Sequence, residues 1–436
     1  MITAVIGRTF LNAYNNKYKK ELSPKEFFID EYFELFYNHP KYLQWVTNSP
    51  FVQMKSGQKV HLLSSEERLL KLVELHLKIE NETPDGSFVL GYPASTKKEF
   101  NSTSSLVSDI TIPTSKDEMY LSWFGHSLAI GVGAYNLLFN EPEILLSIYE
   151  GWKIYRKILN DPLLTHMGGN QVITWNGQWT TYFFHNDYEE GFDFTNLEDF
   201  GFFKSSDGIL KIDTIKWSRL FFSLSKKIPN KILLAYVCNI SDTNKTVGFI
   251  PFQLKSGENL KTIYKKLTND ASITPKNFDI LFGMNFKRAC ELGSIGLHAL
   301  KPDGLVKYMN ENKNISFKND GDKINYFIYK TWLIAMMSKN KEEVKEYTLE
   351  LARIILRYRN SGTKNDRKNL VEKELFEAKS KKGFIEHLTT MVKDLDEQDL
   401  SQIKNLKDEI HLMTNEEFGY FSTLLKFDYA YLEKQS

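Results

Sequence analysis

The chain has 436 residues, of which 42% are hydrophobic and 25% charged, and its net charge is +1. That length allows two or three domains with cores of their own, and the composition is that of an ordinary folded chain. A near-neutral total argues against a free-standing basic nucleic-acid binder, while leaving room for a local basic patch. The two cysteines, Cys238 and Cys290, are too few for a cysteine-rich zinc site. They suit a reducing, cytoplasmic setting. The first residues show no basic leader with an apolar run, and no window reaches the ~18 apolar residues of a membrane span. Neither a signal peptide nor a membrane partner is therefore expected.

Residues 1–82 read as mostly helical. Ser23-Pro24-Lys25-Glu26 has the pattern of a capping box with proline at the first helical position. Phe27, Phe28, Tyr32, Phe33 and Phe36 then supply an aromatic face. Ser65-Glu66-Glu67 opens a helix with Leu69, Leu70, Leu72, Val73 and Leu77 to bury. Residues 83–116 turn polar, through Thr83-Pro84-Asp85-Gly86 and Asn101-Ser102-Thr103-Ser104-Ser105.

From Tyr120 the chain is apolar again. Gly125, Gly131 and Gly133 lack dinucleotide or P-loop spacing, and close helix packing is the preferred reading. A helix follows from Asn140-Glu141-Pro142-Glu143, with Asn140 as its cap and Leu145, Ile148, Tyr149, Trp152 and Leu159 on one stripe. Asn160-Asp161-Pro162 ends it.

From about 163 to 255 the signals are β. In "QVITWNGQWTTYFF", Asn176-Gly177 is a type I′ hairpin pair between β-branched and aromatic residues. A second hairpin is expected across residues 241–245, between "ILLAYVCNI" and "KTVGFIPFQL", and a short helix from Ile215 to Leu224. Residues 256–320 mix helices and turns. From Lys323 only helices are expected: Leu351, Ile354, Ile355 and Tyr358 recur at helical spacing, as do Phe384, Leu388, Met391 and Leu395. The fold class expected is α+β, a mixed part over 1–320 and an all-α bundle over 321–436, parted at Asn319-Asp320-Gly321-Asp322.

Two stretches could carry chemistry of binding. The first is "MGGNQVITWNGQW", residues 167–179. Gly168 and Gly169 let a partner approach the backbone, and Asn170, Gln171, Asn176 and Gln178 carry amides of the kind that read base edges. Trp175 and Trp179, on opposite strands of the expected hairpin, either stack on a base or form a core pair. The second stretch runs from Arg353 to Lys382, with ten basic and four acidic residues. Arg353 and Arg357 share a helix face, and Lys364, Arg367, Lys368, Lys381 and Lys382 follow. Such a surface can track phosphates, or be a solvated face. No metal, cofactor or catalytic residue is indicated. The nine histidines lack the spacing of a helical zinc site, and Ser127, beside His126, lacks the glycine elbow of a nucleophile. The acids Asp187, Glu189, Glu190 and Asp193 after His185 read as turn chemistry, with a metal cluster as the alternative.

This layout resembles the large subunit of a type I CRISPR surveillance complex, Cascade. The counterparts are the glycine loop at Gly168 and Gly169 with its amides, and the basic stretch leading into "NLVEKELFEAKSKKGFIEHLTTMVKD". The resemblance is one of arrangement, without a diagnostic motif, and the zinc-binding cysteines of some branches are absent. It implies a non-catalytic subunit that reads a short motif in target DNA and holds a displaced strand. Its partners would be a guide RNA, other Cascade-type subunits and a separate helicase-nuclease. The alternatives are a metal-dependent nuclease of a defence system and a protein-interaction scaffold.

Overall fold

A computed structural model describes residues 1–46, 49–81, 114–162, 167–185, 188–191, 202–206, 209–239, 245–268, 281–311, 313–337, 341–361 and 365–435. The chain forms two compact units, Met1–Leu254 and Lys255–Ser436. Residues 255–320 thus fold with the C-terminal helices, and the polar stretch near 320 lies inside the second unit. There Asp322 and Asn319 exchange capping hydrogen bonds at the start of a helix.

The first unit begins with α1 (Ile2–Tyr18), α2 (Pro24–Phe27), a π-helical turn over Phe28–Phe33 and α3 (Glu34–Phe36). The capping box at Ser23 and Glu26 forms as expected, and Phe27, Phe28, Tyr32, Phe33 and Phe36 are all buried. Next come α4 (Ser65–Asn81), α5 (Lys116–Ser127), β1 (Ile130–Val132), β2 (Tyr135–Phe139), α6 (Pro142–Asn160) and α7 (Val172–Phe183). The unit closes with β3 (Phe203–Ser206), β4 (Ile209–Ile212), α8 (Trp217–Lys227), β5 (Ile232–Asn239) and β6 (Lys245–Gln253). β1, β2, β5 and β6 make one antiparallel sheet in that order, and β3 pairs with β4. The β1–β2 hairpin has no counterpart in the sequence reading. The expected hairpin across 241–245 is β5–β6, and the expected short helix is α8.

Three expectations of local structure need correction. The Asn176-Gly177 hairpin does not exist, because Val172–Phe183 is a helix. On α4, Leu72 is buried, but Leu69, Leu70, Val73 and Leu77 are exposed. The side that packs inward carries Arg68, Lys71, Leu72, Leu75 and Ile79, because Lys71 reaches inward to backbone carbonyls. The N-cap of α6 is Glu141 rather than Asn140. The polar loops at 83–86 and 101–105 lie outside the described residues.

Glycines set how closely these elements meet. A methyl group at Gly125 of α5 would overlap the carbonyl of Thr3 in α1, and one at Gly7 would overlap that of Leu121. The two helices therefore cross almost backbone to backbone, which is the close packing expected of the glycine cluster. Around this crossing sits an aromatic core. Phe10 packs edge-on against Phe27 at 5.3 Å, and Phe36 against Trp152 at 4.8 Å.

The second unit contains α9 (Lys255–Thr268), β7 (Phe282–Met284), α10 (Phe286–Leu292), β8 (Leu300–Pro302) and α11 (Leu305–Asn310). The all-helical part follows: α12 (Asp320–Met337), α13 (Lys341–Asn360), α14 (Asn365–Asn369) with a π-turn over Leu370–Leu375, α15 (Lys381–Val392), α16 (Glu397–Leu412) and α17 (Asn415–Gln435). α17 starts at a capping box between Thr414 and Glu417. Leu351, Ile354, Ile355, Tyr358, Phe384, Leu388 and Met391 form the core, with Leu395 packed against it. Where α12 meets α17, Lys330 pairs with Asp428 at 2.6 Å, both buried, and the Tyr326 hydroxyl donates to the same carboxylate oxygen at 2.8 Å. Burial first, and the Asp428 charge second, hold that phenol far above its usual range.

Two stability experiments follow from this packing. Gly125→Ala should cost at least ~2 kcal/mol, because neither backbone can withdraw. Gly168→Ala, whose nearest new neighbour is 3.8 Å away, should change stability by under ~1 kcal/mol in the same urea titration. Lys330→Met alone should cost roughly 3–5 kcal/mol by stranding a buried carboxylate. Adding Asp428→Leu and Tyr326→Phe should recover most of that loss, and a triple variant no better than the single one would refute the account.

Candidate nucleic-acid interface

The Gly-Asn-Trp stretch is answered by α7. Val172, Trp175, Trp179 and Tyr182 recur at helical spacing and are all buried. Trp175 and Trp179 lie on one helix and stack with centroids 6.1 Å apart. Their indoles donate into α6, to the carbonyls of Gly151 and Ser147, each at 2.7 Å. Gly151 is bare because a methyl group there would overlap the Trp179 ring, and Gly177 because one would overlap the Gly131 carbonyl. Asn176 is fully buried. Its amide donates to the carbonyls of Ser127 at 2.7 Å and Ala129 at 2.8 Å, and accepts from the Trp152 indole at 3.1 Å. Gln178, also buried, donates to the Asp213 carbonyl at 2.8 Å. These two amides serve the interior and do not reach a base edge.

The loop before α7 is different. Gly168 and Asn170 are exposed and Gln171 half-buried, while Gly169 is buried against Lys41 and Tyr42. The loop is held from below. The Tyr155 hydroxyl donates to the carbonyls of Gly168 at 3.1 Å and Gly169 at 2.8 Å. Gln171 accepts from the Ile212 amide at 2.9 Å. Asn170 accepts from the backbone N–H of Trp45 at 2.8 Å.

That last bond leads to a segment the sequence reading passed over. Residues 37–46 and 49–53 have no helix or strand, yet buried polar side chains pin them. Arg156 donates to the carbonyls of Leu35 and of Lys41, the latter at 3.0 Å. Lys71 donates to those of Pro50 at 3.0 Å and Gln53 at 2.5 Å. Gln44 accepts from Tyr32 at 3.0 Å and Ser127 at 2.5 Å, and its amide nitrogen meets His126 Nδ1 at 2.5 Å. Among these fixed residues Trp45 is 48% exposed, while the chain's other six tryptophans are buried. The signal available in the sequence was a tryptophan with no periodic partners between His39-Pro40 and Ser49-Pro50.

The basic stretch folds against acids that a linear count omits. Arg353 pairs with Glu350 at 2.5 Å, Arg357 with Asp399 at 2.6 Å and Arg367 with Asp394 at 2.9 Å. Lys368 lies 3.9 Å from Glu372, and Lys381 donates to the Met413 carbonyl at 2.7 Å. Lys382 is the most exposed of these, 3.9 Å from Glu386. Most of these acids come from α13, α15 and α16, so the field over this face is weaker than the local excess implies. Lys364 lies outside the described residues.

Asp187 and Asp193 also lie outside them, while Glu189 and Glu190 are exposed. Among the described residues, no three His, Cys, Asp or Glu stand where they could hold a metal ion. No described helix is long and apolar enough to cross a membrane. Ser127 is tied to Gln44 in the interior and is not presented to solvent.

Apolar side chains are left open on two surfaces. On α4 they are Leu69, Leu70, Val73 and Leu77, and on the β5–β6 hairpin Ile232, Leu234 and Phe249. β6 is a terminal strand of its sheet, interrupted by a bulge opposite Val237/Cys238 and carrying Pro251. Both features blunt an edge against strand addition, so the hairpin offers its face rather than its edge.

Comparison with protein-family models, with curated proteins and with solved structures gives no match.

The buried histidine yields a pH prediction. Burial lowers His126 from 6.5 to about 4. Above pH 6.5 the imidazole is neutral both folded and unfolded, and its neutral burial is fully tolerated. As pH falls toward 4 the unfolded chain takes up the proton first, so stability drops, by ~3 kcal/mol for this group. Urea unfolding between those limits should show about one proton fewer taken up in His126→Gln. An unchanged pH slope would contradict the assignment.

Proposed function

We propose that this chain is a non-catalytic, nucleic-acid-binding subunit of a multi-subunit assembly, of the type I CRISPR surveillance class its layout resembles. The observation that carries the reading is the loop at Gly168 and Asn170, exposed at its tip and fixed from beneath by Tyr155 and Gln171. A rigid irregular loop with an outward glycine and amide suits contact with a duplex groove. This narrows the recognition set to Gly168 and Asn170, since both ends of the Gln171 amide bond within the protein. The open apolar surfaces of α4 and of β5–β6 suit burial against neighbouring subunits. In this reading the chain reads target DNA and cleaves nothing; a guide RNA, Cascade-type subunits and a recruited helicase-nuclease complete the assembly. A second reading, a protein-interaction scaffold, is favoured by the same apolar surfaces taken alone.

The two readings separate in a titration of duplex DNA at increasing salt. Nucleic-acid recognition predicts affinity that falls steeply between about 50 and 200 mM salt. Asn170→Ala should then narrow the difference between preferred and random duplexes by about tenfold, with little loss of total binding. Charge reversal at Lys382, which is more exposed than the paired arginines, should weaken binding to every sequence alike. Salt-independent or undetectable binding, with stoichiometric protein partners recovered free of RNA, would establish the scaffold instead.

A further inference from the structure

We propose that Trp45 is a stacking platform for an unpaired nucleobase, set in a preformed loop beside Asn170; this rests on the nucleic-acid reading of that loop. Three observations converge on it. The first is exposure: Trp45 is the one indole of seven that the fold leaves half in water. An exposed tryptophan on a fixed surface is a recurrent feature of binding sites.

The second is rigidity. Residues around Trp45 lack the backbone ladder of a helix or strand, and side chains substitute for it. Arg156 and Lys71 are buried and spend their charges on loop carbonyls. Gln44, next to Trp45 in sequence, is locked in the interior by Tyr32, Ser127 and His126. Asn170 fixes the Trp45 backbone itself. Burying charged groups to hold a surface loop is costly, and what the loop gains is a single conformation at the position where the indole emerges. Preorganisation of this kind lowers the entropic cost of binding.

The third is chemistry. Arg156 and Lys71 are buried and bonded to carbonyls, so they hold the loop and do not face a ligand. What faces solvent beside the indole is the exposed Asn170 side chain, whose oxygen accepts from the Trp45 N–H. A flat aromatic ring next to an exposed primary amide matches a ligand with a ring face and a polar edge, the combination a nucleobase presents.

The test uses the full chain and a labelled single-stranded DNA of mixed sequence, with polyphosphate as a base-free polyanion. Because the other tryptophans are buried, the solvent-exposed part of the emission reports Trp45. The oligonucleotide should quench that emission and polyphosphate should not. Trp45→Ala should weaken oligonucleotide binding by about tenfold, and Trp45→Phe should restore part of it. The thermal midpoint of both variants should match the parent, since the ring is half exposed. Equal binding by parent and Trp45→Ala, or equal quenching by polyphosphate, overturns the stacking role and leaves the nucleic-acid reading standing. Absence of binding to any nucleic acid at low salt, duplex included, overturns both.

Discussion

The first unit depends on one buried amide. Asn176 of α7 lies where α5 ends and β1 begins, and its side chain ties α7 to the last residue of α5, to Ala129 just before β1 and to Trp152 of α6. The carbonyls of Ser127 and Ala129 belong to the turn between helix and strand, where no intrahelical donor serves them. Left without a donor in the interior, each would cost of the order of 1–3 kcal/mol. One side chain supplies both donors, and its oxygen takes up the Trp152 indole. An aspartate or leucine of similar size offers either no donor or no acceptor, so the position requires a primary amide.

The amide works only because the backbones around it come close, and two glycines permit that. Gly177 lies against the Gly131 carbonyl and Gly151 under the Trp179 ring. The close approach brings both indoles of α7 within reach of α6 carbonyls four residues apart, matching their own separation of four on α7. The second unit joins its helices differently. Lys330 and Asp428 meet in the interior between α12 and α17, and one carboxylate oxygen serves both the ammonium and the Tyr326 hydroxyl while the other is buried without a hydrogen-bond partner. A buried pair of this kind fixes which faces meet more than it adds stability.

The α+β class, the helical C-terminal part and its apolar stripes were legible because they follow from period and capping, which are local. The hairpin at Asn176-Gly177 was misread for a physical reason. Asn-Gly and β-branched neighbours do disfavour helix in isolation, and here burial of Trp175 and Trp179 on one face overrides them. The helical spacing of Val172, Trp175, Trp179 and Tyr182 was present and was outweighed by the dipeptide. The α4 leucines show the converse. Hydrophobicity alone assigned them inward, but Lys71 and Arg68 occupy the inner face, and nothing local marks a lysine that will be buried on carbonyls. The net charge of the basic stretch is smaller in the fold than along the chain, because Asp394 and Asp399 reach it only through folding.

The candidate site was half legible for a related reason. Gly168 and Asn170 stood out by composition, and their exposure agrees with a binding loop. Trp45 did not stand out, because a single aromatic residue in an aperiodic segment has no pattern to belong to. Its significance comes from residues distant in sequence: Arg156, Lys71 and Asn170 converge on its loop from three separate elements. Each could have bonded solvent or a carboxylate at lower desolvation cost. Two of these side chains bond to carbonyls of the loop and the third to the Trp45 backbone, so the loop is held by contacts distant in sequence rather than by a local ladder. Such constraint is expected where the conformation of a surface loop is itself the functional quantity.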